Sequence, residues 1–329
     1  MKKILNAPAD YTDDMLRGIY ASHSDQVKYT ADCLRCYCSA KKTEGKVAIV
    51  TGGGTGHLPL FLGYVGEGML DGCAVGSVFQ SPSAEQIFEI TKEVNSGAGV
   101  LYLFGNYTGD TMNFEMSAEL CEMEDIETRT VIGADDVNSG APEVRRGVAG
   151  IFFLYKAAGA KAAMMGTLDE VAAAAQKAKD ATRTVGFALT PCVIPEVGHP
   201  NFVLKDGEMA MGMGIHGEPG IWNGPIMTSK QIAEESLKTL LGDMPLAEGE
   251  EIALLVNGLG GTSIEELYIL CGDVIAQLKE KGVRVYRSFV GEYATSMEMM
   301  GASISICRLD EELKEYLDYP VHTPFYTQV

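Results

Sequence analysis

The stretch Lys46-Val47-Ala48-Ile49-Val50-Thr51 leads directly into Gly52-Gly53-Gly54-Thr55-Gly56-His57. An apolar, β-branched run of this length reads as a buried strand, here ending in a glycine cluster. The pattern recurs downstream. Residues 73–79 and 100–104 are further strand-like runs, each followed by helical periodicity, over 84–95 and 111–124. Ser81-Pro82-Ser83 supplies a start for the first of these helices. Residues 128–132 return to β, the Ala-rich stretch 168–179 is a strong helix former, and 184–189 closes the region as a strand. Strands alternating with helices imply a mostly parallel sheet with helices on its faces.

The second half has a different rhythm. Residues 202–204 and 208–211, joined by Lys205-Asp206-Gly207, predict a β-hairpin with an Asp-Gly turn. A helix is expected over 229–241. A strand-helix-strand unit follows over 252–257, 263–280 and 283–290, and then a strand over 302–309. The polar stretch 242–251 reads as an insertion within this half. Pro191, Pro195 and Pro200 cluster near residue 190 and suggest a boundary there. The expected architecture is α/β with two domains. Residues 1–190 would hold a mostly parallel sheet flanked by helices, and 191–329 a smaller mixed-sheet α/β domain.

With 46% hydrophobic and 22% charged residues in a chain of 329, the composition is that of a globular protein with room for two cores. The apolar runs at 47–50 and 100–104 are far too short to cross a bilayer. The N-terminus offers only Ile4 and Leu5 as an apolar stretch, so no secretory signal is read and a cytoplasmic location is expected. A net charge of −19 opposes phosphate backbones and anionic lipid, which argues against nucleic acid and membrane partners and for a neutral small molecule. The eight cysteines are scattered and would stay thiols in a reducing compartment. Cys33-Leu34-Arg35-Cys36 has a metal-like spacing, but no second CxxC or His pair completes a zinc set. Helix-borne thiols, and no metal, are the expectation.

Three segments carry chemistry. In the first, four glycines in five positions before His57 let backbone come close to a ligand and expose its N–H groups. It ends in no Gly-Lys-Ser/Thr, so it is not a Walker A loop, and it lacks the dinucleotide spacing. A glycine turn without function is the competing reading. Placement of His57 at the C-terminal edge of a parallel sheet, where ligands bind in open α/β sheets, favours a site. The second segment is Asn106-Tyr107-Thr108-Gly109-Asp110, again after a strand. Asp110 either caps a helix or, beside His57 at the same edge, takes a proton from an attacking hydroxyl. The third is Gly212-Met213-Gly214-Ile215-His216-Gly217-Glu218-Pro219-Gly220. A histidine between glycines is sterically open, and its neutral imidazole can serve as base, ligand or nucleophile; a structural turn is the alternative. Glu218 and Pro219 would shape that loop, and the carboxylate there could hold the tautomer of His216. His23, His199 and His322 have no glycine-rich surroundings.

These segments resemble the dihydroxyacetone kinase family, specifically its substrate-binding component. The resemblance covers nearly the whole chain. It includes Gly63-Tyr64-Val65-Gly66-Glu67-Gly68-Met69-Leu70, Val78-Phe79-Gln80-Ser81-Pro82-Ser83 and Arg145-Arg146-Gly147-Val148-Ala149. It continues through Val256-Asn257-Gly258-Leu259-Gly260 and Pro320-Val321-His322-Thr323-Pro324. The resemblance implies that His216 adds to a ketone carbon as a reversible hemiaminal. Such a step selects carbonyl compounds over polyols such as glycerol. It further implies that His57 hydrogen-bonds and polarises the substrate, that Asp110 is the base for the terminal hydroxyl, and that Gly54, Thr55 and Gly56 line the pocket. A homodimer is implied as well.

Two positions depart from the family pattern. Well-known bacterial members carry a glutamate where Leu58 stands and a substrate-contacting lysine where Gly105 stands. Losing a long cationic side chain leaves room and removes a donor, which points to a ketose larger than, or different from, dihydroxyacetone, such as the four- or five-carbon erythrulose or apulose. The family's nucleotide-binding unit is a separate helical (DhaL-type) domain or subunit, and no such segment is read in this chain. No cofactor is therefore expected on the chain itself. A partner would bring ADP or ATP with Mg²⁺, recharged by ATP exchange or by a phosphotransferase-system protein. The competing functions are a ketose-sensing transcriptional coactivator and a non-catalytic carbonyl-binding module. Retention of Asp110 favours the kinase.

Overall fold

The structure, a computed structural model, describes residues 2–30 and 33–329. Its contacts divide the chain into two units. One is formed by Met1–Gly133, Phe152–Ala178 and Glu315–Val329, the other by Ala134–Ile151 and Lys179–Lys314.

The first unit is built on strands β1 (Val27–Thr30), β2 (Cys33–Ser39), β3 (Ala48–Thr55), β4 (Gly72–Val78), β5 (Val100–Gly105) and β6 (Thr128–Gly133). They lie in the order β1-β2-β4-β3-β5-β6. The last four run parallel, while β1 and β2 add an antiparallel edge. Its helices are α1 (Tyr11–Ser22), α2 (Ala84–Val94), α3 (Thr108–Met123), α4 (Ile151–Ala163) and α5 (Leu168–Asp180). The predicted start of α2 is a capping box, in which the Ser83 hydroxyl accepts from the Gln86 N–H and the Gln86 side chain accepts from the Ser83 N–H. Ile87, Ile90 and Val94 of α2 pack with Phe114 and Cys121 of α3 against Val50, Tyr102 and Phe104 of the sheet. Thr51 alternates with Val50 and so faces the other side. There its hydroxyl meets that of Tyr155, on α4, at 2.7 Å. Ile151, Phe152, Leu154, Tyr155 and Ala158 of α4 are all buried, as befits a helix apolar on every side.

The second unit holds β7 (Thr182–Ala188), β8 (Glu208–Met211), β9 (Trp222–Pro225), β10 (Glu251–Gly258), β11 (Arg284–Gly291) and β12 (Gly301–Leu309). Their order is β11-β10-β12-β7-β8-β9, with β10 and β11 parallel and the other pairs antiparallel. Helices α6 (Ser229–Asp243) and α7 (Ile264–Glu280) each begin with a capping box, at Thr228/Gln231 and Ser263/Glu266. Leu237, Leu240, Leu267 and Val274 from these helices close a core over Leu254, Val256 and Ile304. Helix α8 (Glu311–Asp318) follows, and a short hairpin pairs Val321–His322 with Thr327–Gln328 in the first unit.

The α/β class, the mostly parallel first sheet and the mixed second sheet are as expected. Several details differ. β7 does not close the first sheet: it pairs with β12 and β8 in the second. The chain therefore changes unit after Gly133 and again around α4, α5 and α8, rather than once near residue 190. Cys33 and Cys36 lie on β2, not on a helix, and all eight cysteines are free thiols. Residues 202–204 form no strand; β8 pairs instead with β9, Glu208 opposite Pro225, although Gly207 does make a turn at φ +77°. Among the described residues no helix is long and apolar enough to cross a membrane.

One ion cluster ties α6 to its sheet. Buried Arg145 makes a two-pronged contact with Asp243 at 2.9 and 2.6 Å, and Arg183 from β7 reaches the same carboxylate. The bonds from Arg145, then those from Arg183, hold the Asp243 carboxyl down at about 2 although burial opposes them. Its contribution is thus complete above the ordinary aspartate value near ~4 and fades as pH falls toward 2. Asp243→Asn should cost about 2–3 kcal/mol, because it leaves a buried guanidinium without its counter-charge. The variant should also lose part of the acid limb of the stability profile; urea midpoints at pH 7 and pH 3 check both.

Candidate functional site

The glycines of β3 lie within the sheet, not in a loop. Gly52, Gly53 and Gly54 pair with Ala74, Val75 and Gly76 of β4. What they permit is close approach by the protein's own chain. A Cβ on Gly53 would fall 2.2 Å from the Phe61 ring, and one on Gly54 would fall 2.6 Å from the Gln80 nitrogen. One on Gly76 would fall 1.8 Å from the Gln80 oxygen. The turn after β4 can therefore fold back onto the end of β3. It places Phe79 at φ 58°, a conformation that costs a non-glycine residue about 1–3 kcal/mol. Phe79 then stacks on His57, with centroids 4.8 Å apart and planes 15° apart, while Phe61 meets the imidazole edge-on. His57 is fully buried and its Nε2 is out of reach of water. Of the expected Gly54-Thr55-Gly56 wall, Gly54 is packed against the Phe79–Gln80 backbone. The Thr55 hydroxyl meets that of Thr12 at 3.1 Å, and Gly56 turns the chain at φ +101°.

Asp110 sits in the first turn of α3 and is buried to 6% exposure. It is not the helix cap, a position held by Tyr107. The partial positive charge at a helix start favours an ionised carboxyl there. Gly109 lets this turn approach Ser81, since a Cβ would lie 2.7 Å from its hydroxyl. β3 and β5 are adjacent and parallel, so His57 and Asp110 follow the C-terminal ends of neighbouring strands, as the sequence predicts. Leu58 is half-buried just after His57, and Gly105 is buried at the end of β5, opposite Gly133.

His216 belongs to the second unit, on the loop between β8 and β9. Its ring Nδ1 lies 2.9 Å from Glu218 Oε1, and its backbone N–H donates to Glu218 Oε2 at 2.9 Å. Burial pushes the Glu218 carboxyl up. The bond from His216, the charge of His216 and that of Arg146, 3.8 Å away, more than offset it and hold the group down at about 2. An ionised carboxylate can only accept, so Nδ1 carries a proton, and in the neutral form of the ring it is the protonated nitrogen. In that form Nε2 holds the lone pair. The loop is made of close backbone approaches. A Cβ on Gly214 would strike Glu218 Oε2 at 2.2 Å, and one on Gly217, at φ +82°, would strike Asn201 Nδ2 at the same distance. Asn201 in turn donates to the His216 carbonyl at 2.9 Å.

Two side chains around these sites were not singled out from the sequence, Phe79 against His57 and Arg146 beside Glu218. Both stand inside segments whose order already resembled the family, which was the signal available. His322 pairs through its backbone with Glu67.

Residues 17–325 match the Dak1 domain. The chain is 42% identical over 327 residues to the PTS-dependent dihydroxyacetone kinase 1, dihydroxyacetone-binding subunit DhaK, of Listeria innocua, covering 98% of this chain and 99% of that one. It is 41% identical over 330 residues to the D-erythrulose kinase of Mycolicibacterium smegmatis, covering 99% of this chain and 56% of the longer protein. Among solved structures, the dihydroxyacetone kinase operon co-activator Dha-DhaQ superposes with a TM-score of 0.90 at 32% identity, over 96% of this chain and 98% of that one. The chain therefore belongs to the Dak1 domain family, as a member of the DhaK type.

Proposed function

We propose that this chain is the substrate-holding component of a dihydroxyacetone-type ketose kinase, cytoplasmic and dimeric, in which His216 anchors a short ketose covalently. The observation that carries this reading is the Nδ1 contact of His216 with an ionised Glu218, which in the neutral form of the ring puts the lone pair on Nε2. In the anchoring step Nε2 bonds to the carbonyl carbon, the C=O π pair moves to oxygen, and that oxygen takes up a proton from solvent. The ring becomes a cation, and the adjacent carboxylate stabilises it. A polyol offers no electrophilic carbon and is passed over.

In this reading His57 hydrogen-bonds and orients the bound sugar, and its rotation is restrained by the stacked Phe79. Asp110 takes the proton from the terminal hydroxyl as that oxygen attacks a phosphoryl group. Gly54, Thr55 and Gly56 lie along the substrate. A helical, nucleotide-bearing partner subunit supplies ADP or ATP with Mg²⁺, which neutralises charge on the phosphoryl group in flight. The relatives support a ketose as substrate, dihydroxyacetone in one and D-erythrulose in the other. Leu58 and Gly105, where a glutamate and a lysine stand in well-known bacterial members, favour the larger sugar.

A second reading, a ketose-sensing coactivator, is favoured by the likeness to the operon co-activator. It needs His216 but no proton acceptor for phosphoryl transfer. Buried Asp110 therefore favours the kinase.

Intact-mass measurement should show an adduct with erythrulose and with dihydroxyacetone that His216→Ala abolishes. Asp110→Asn should keep the adduct while slowing phosphorylation by about 10²–10⁴-fold, the range of a general base. An adduct lost in Asp110→Asn would make this residue a binder instead. Rates with the partner subunit should be higher for erythrulose than for dihydroxyacetone, and a clear preference for dihydroxyacetone would remove the larger-substrate assignment. Adduct formation without turnover, with either ATP or a phosphotransferase-system donor, would move the protein to the sensor class.

A further inference from the structure

We infer that Arg146, braced by Asp136 and by the Gly212 carbonyl, is a positioning residue that holds Glu218 in the pose that leaves Nε2 as the nucleophilic nitrogen of His216. The inference rests on the ketose-anchoring reading of His216 and names what sustains it.

Arg146 stands well away from the loop in sequence, yet its guanidinium joins three segments of the second unit. Its Nε donates to Asp136 Oδ2 at 3.0 Å, and its Nη2 lies 2.7 Å from the same oxygen. Nη2 also donates to the carbonyl of Gly212 at 3.3 Å, at the point where β8 gives way to the His216 loop. Nη1 lies 3.8 Å from Glu218 Oε2. The pair is locked through the main chain as well. The Asp136 N–H donates to the Arg146 carbonyl at 3.1 Å, and the Arg146 N–H donates to the Ser139 hydroxyl at 2.9 Å. The side chain of Asp136 is 3% exposed and that of Arg146 15%, so neither moves freely into water.

A planar fork with donors in fixed directions can serve all three partners at once, which a single ammonium cannot. Gly214 completes the arrangement. A Cβ there would strike both Glu218 Oε2, at 2.2 Å, and Arg146 Nη1, at 2.6 Å, so the carboxylate and the guanidinium meet only over a bare backbone. Glu218 spends one oxygen on the His216 ring and the other on its backbone N–H. Arg146 is the cation beside the second oxygen. Without it the carboxylate is free to turn outward, and the ring is free to carry its proton on Nε2. A histidine's tautomer is set by the bond its other nitrogen makes.

The test uses the full chain labelled with ¹⁵N-histidine, with the His216 signals assigned from His216→Gln. In alkaline buffer, where imidazoles are neutral, wild type should show the proton on Nδ1 of His216. Arg146→Met should move that proton toward Nε2 and lower the fraction of chain carrying a dihydroxyacetone or erythrulose adduct by about 10- to 100-fold, the range for outer partners of functional histidines. Arg146→Lys should recover part of both. If Arg146→Met fails to fold, Asp136→Asn, which keeps the side-chain shape, must shift the tautomer in the same direction. The inference is overturned if the tautomer and the adduct fraction stay at wild-type values in a folded variant. It survives alone if wild type forms no adduct with any ketose while the variants still move the proton, an outcome that sinks the anchoring reading instead.

Discussion

A carboxylate that stays ionised beside a histidine can only accept, and the chemistry assigned to this protein depends on that asymmetry at Glu218. The residue is two positions from His216, receives both the ring and the backbone N–H of His216 at 2.9 Å, and is only about a quarter exposed. Burial alone would push its carboxyl toward neutrality, and a neutral acid could donate to Nδ1 and reverse the ring. The donors around it prevent this. Charge-assisted bonds of this kind are worth about 1.5–3 kcal/mol each. That is enough to set one tautomer over the other but not to order a flexible loop. The ordering comes from backbone packed against side chains at Gly214 and Gly217, with Asn201 holding the His216 carbonyl from its other side.

The local pattern of the fold was legible because each element advertises its own period. The strand-helix-strand unit β10-α7-β11, the capped start of α2 and the helix α6 all stand where alternation and capping put them. What was not legible is which strand pairs with which. β7 carries the same signals as β6, and nothing in its seven residues says that its neighbours are β12 and β8. The interleaving of the two units follows from that one pairing. α4 escaped for the opposite reason: Ile151-Phe152-Phe153-Leu154-Tyr155 is apolar on every face, so it shows no period to read. Cys33 and Cys36 sit on β2, an antiparallel strand between β1 and β4 that the CxxC spacing drew attention away from.

The site shows the same division. His216 stood out because glycines on both sides leave an imidazole sterically open, and Asp110 and His57 because each follows a strand of the parallel sheet. The glycines of β3 announced a close approach correctly. A glycine says only that something comes near, though, and here the visitor to Gly53 and Gly54 is the protein's own Phe61 and Phe79–Gln80 backbone. The consequence for chemistry is indirect: that approach carries Phe79 onto the face of His57. Phe79 and Arg146 were invisible as functional groups because neither has chemistry of its own; each acts by restraining another side chain.

The two units also separate two demands that the competing functions make differently. Capturing a carbonyl needs one neutral nitrogen with a fixed tautomer, and the residues that secure it, Glu218, Arg146, Asp136 and Asn201, all lie in the second unit. Moving a phosphoryl group onto the captured sugar needs in addition a group that takes a proton from the attacking hydroxyl, and the candidate for that lies in the first. A chain that only reported the presence of a ketose has no evident use for an acid kept at 6% exposure in the first turn of α3. A buried acid just past the end of β5, next to the strand that His57 follows, suits what a transferase requires. This is why the kinase reading outweighs a structural likeness to a co-activator that would be equally close in either case.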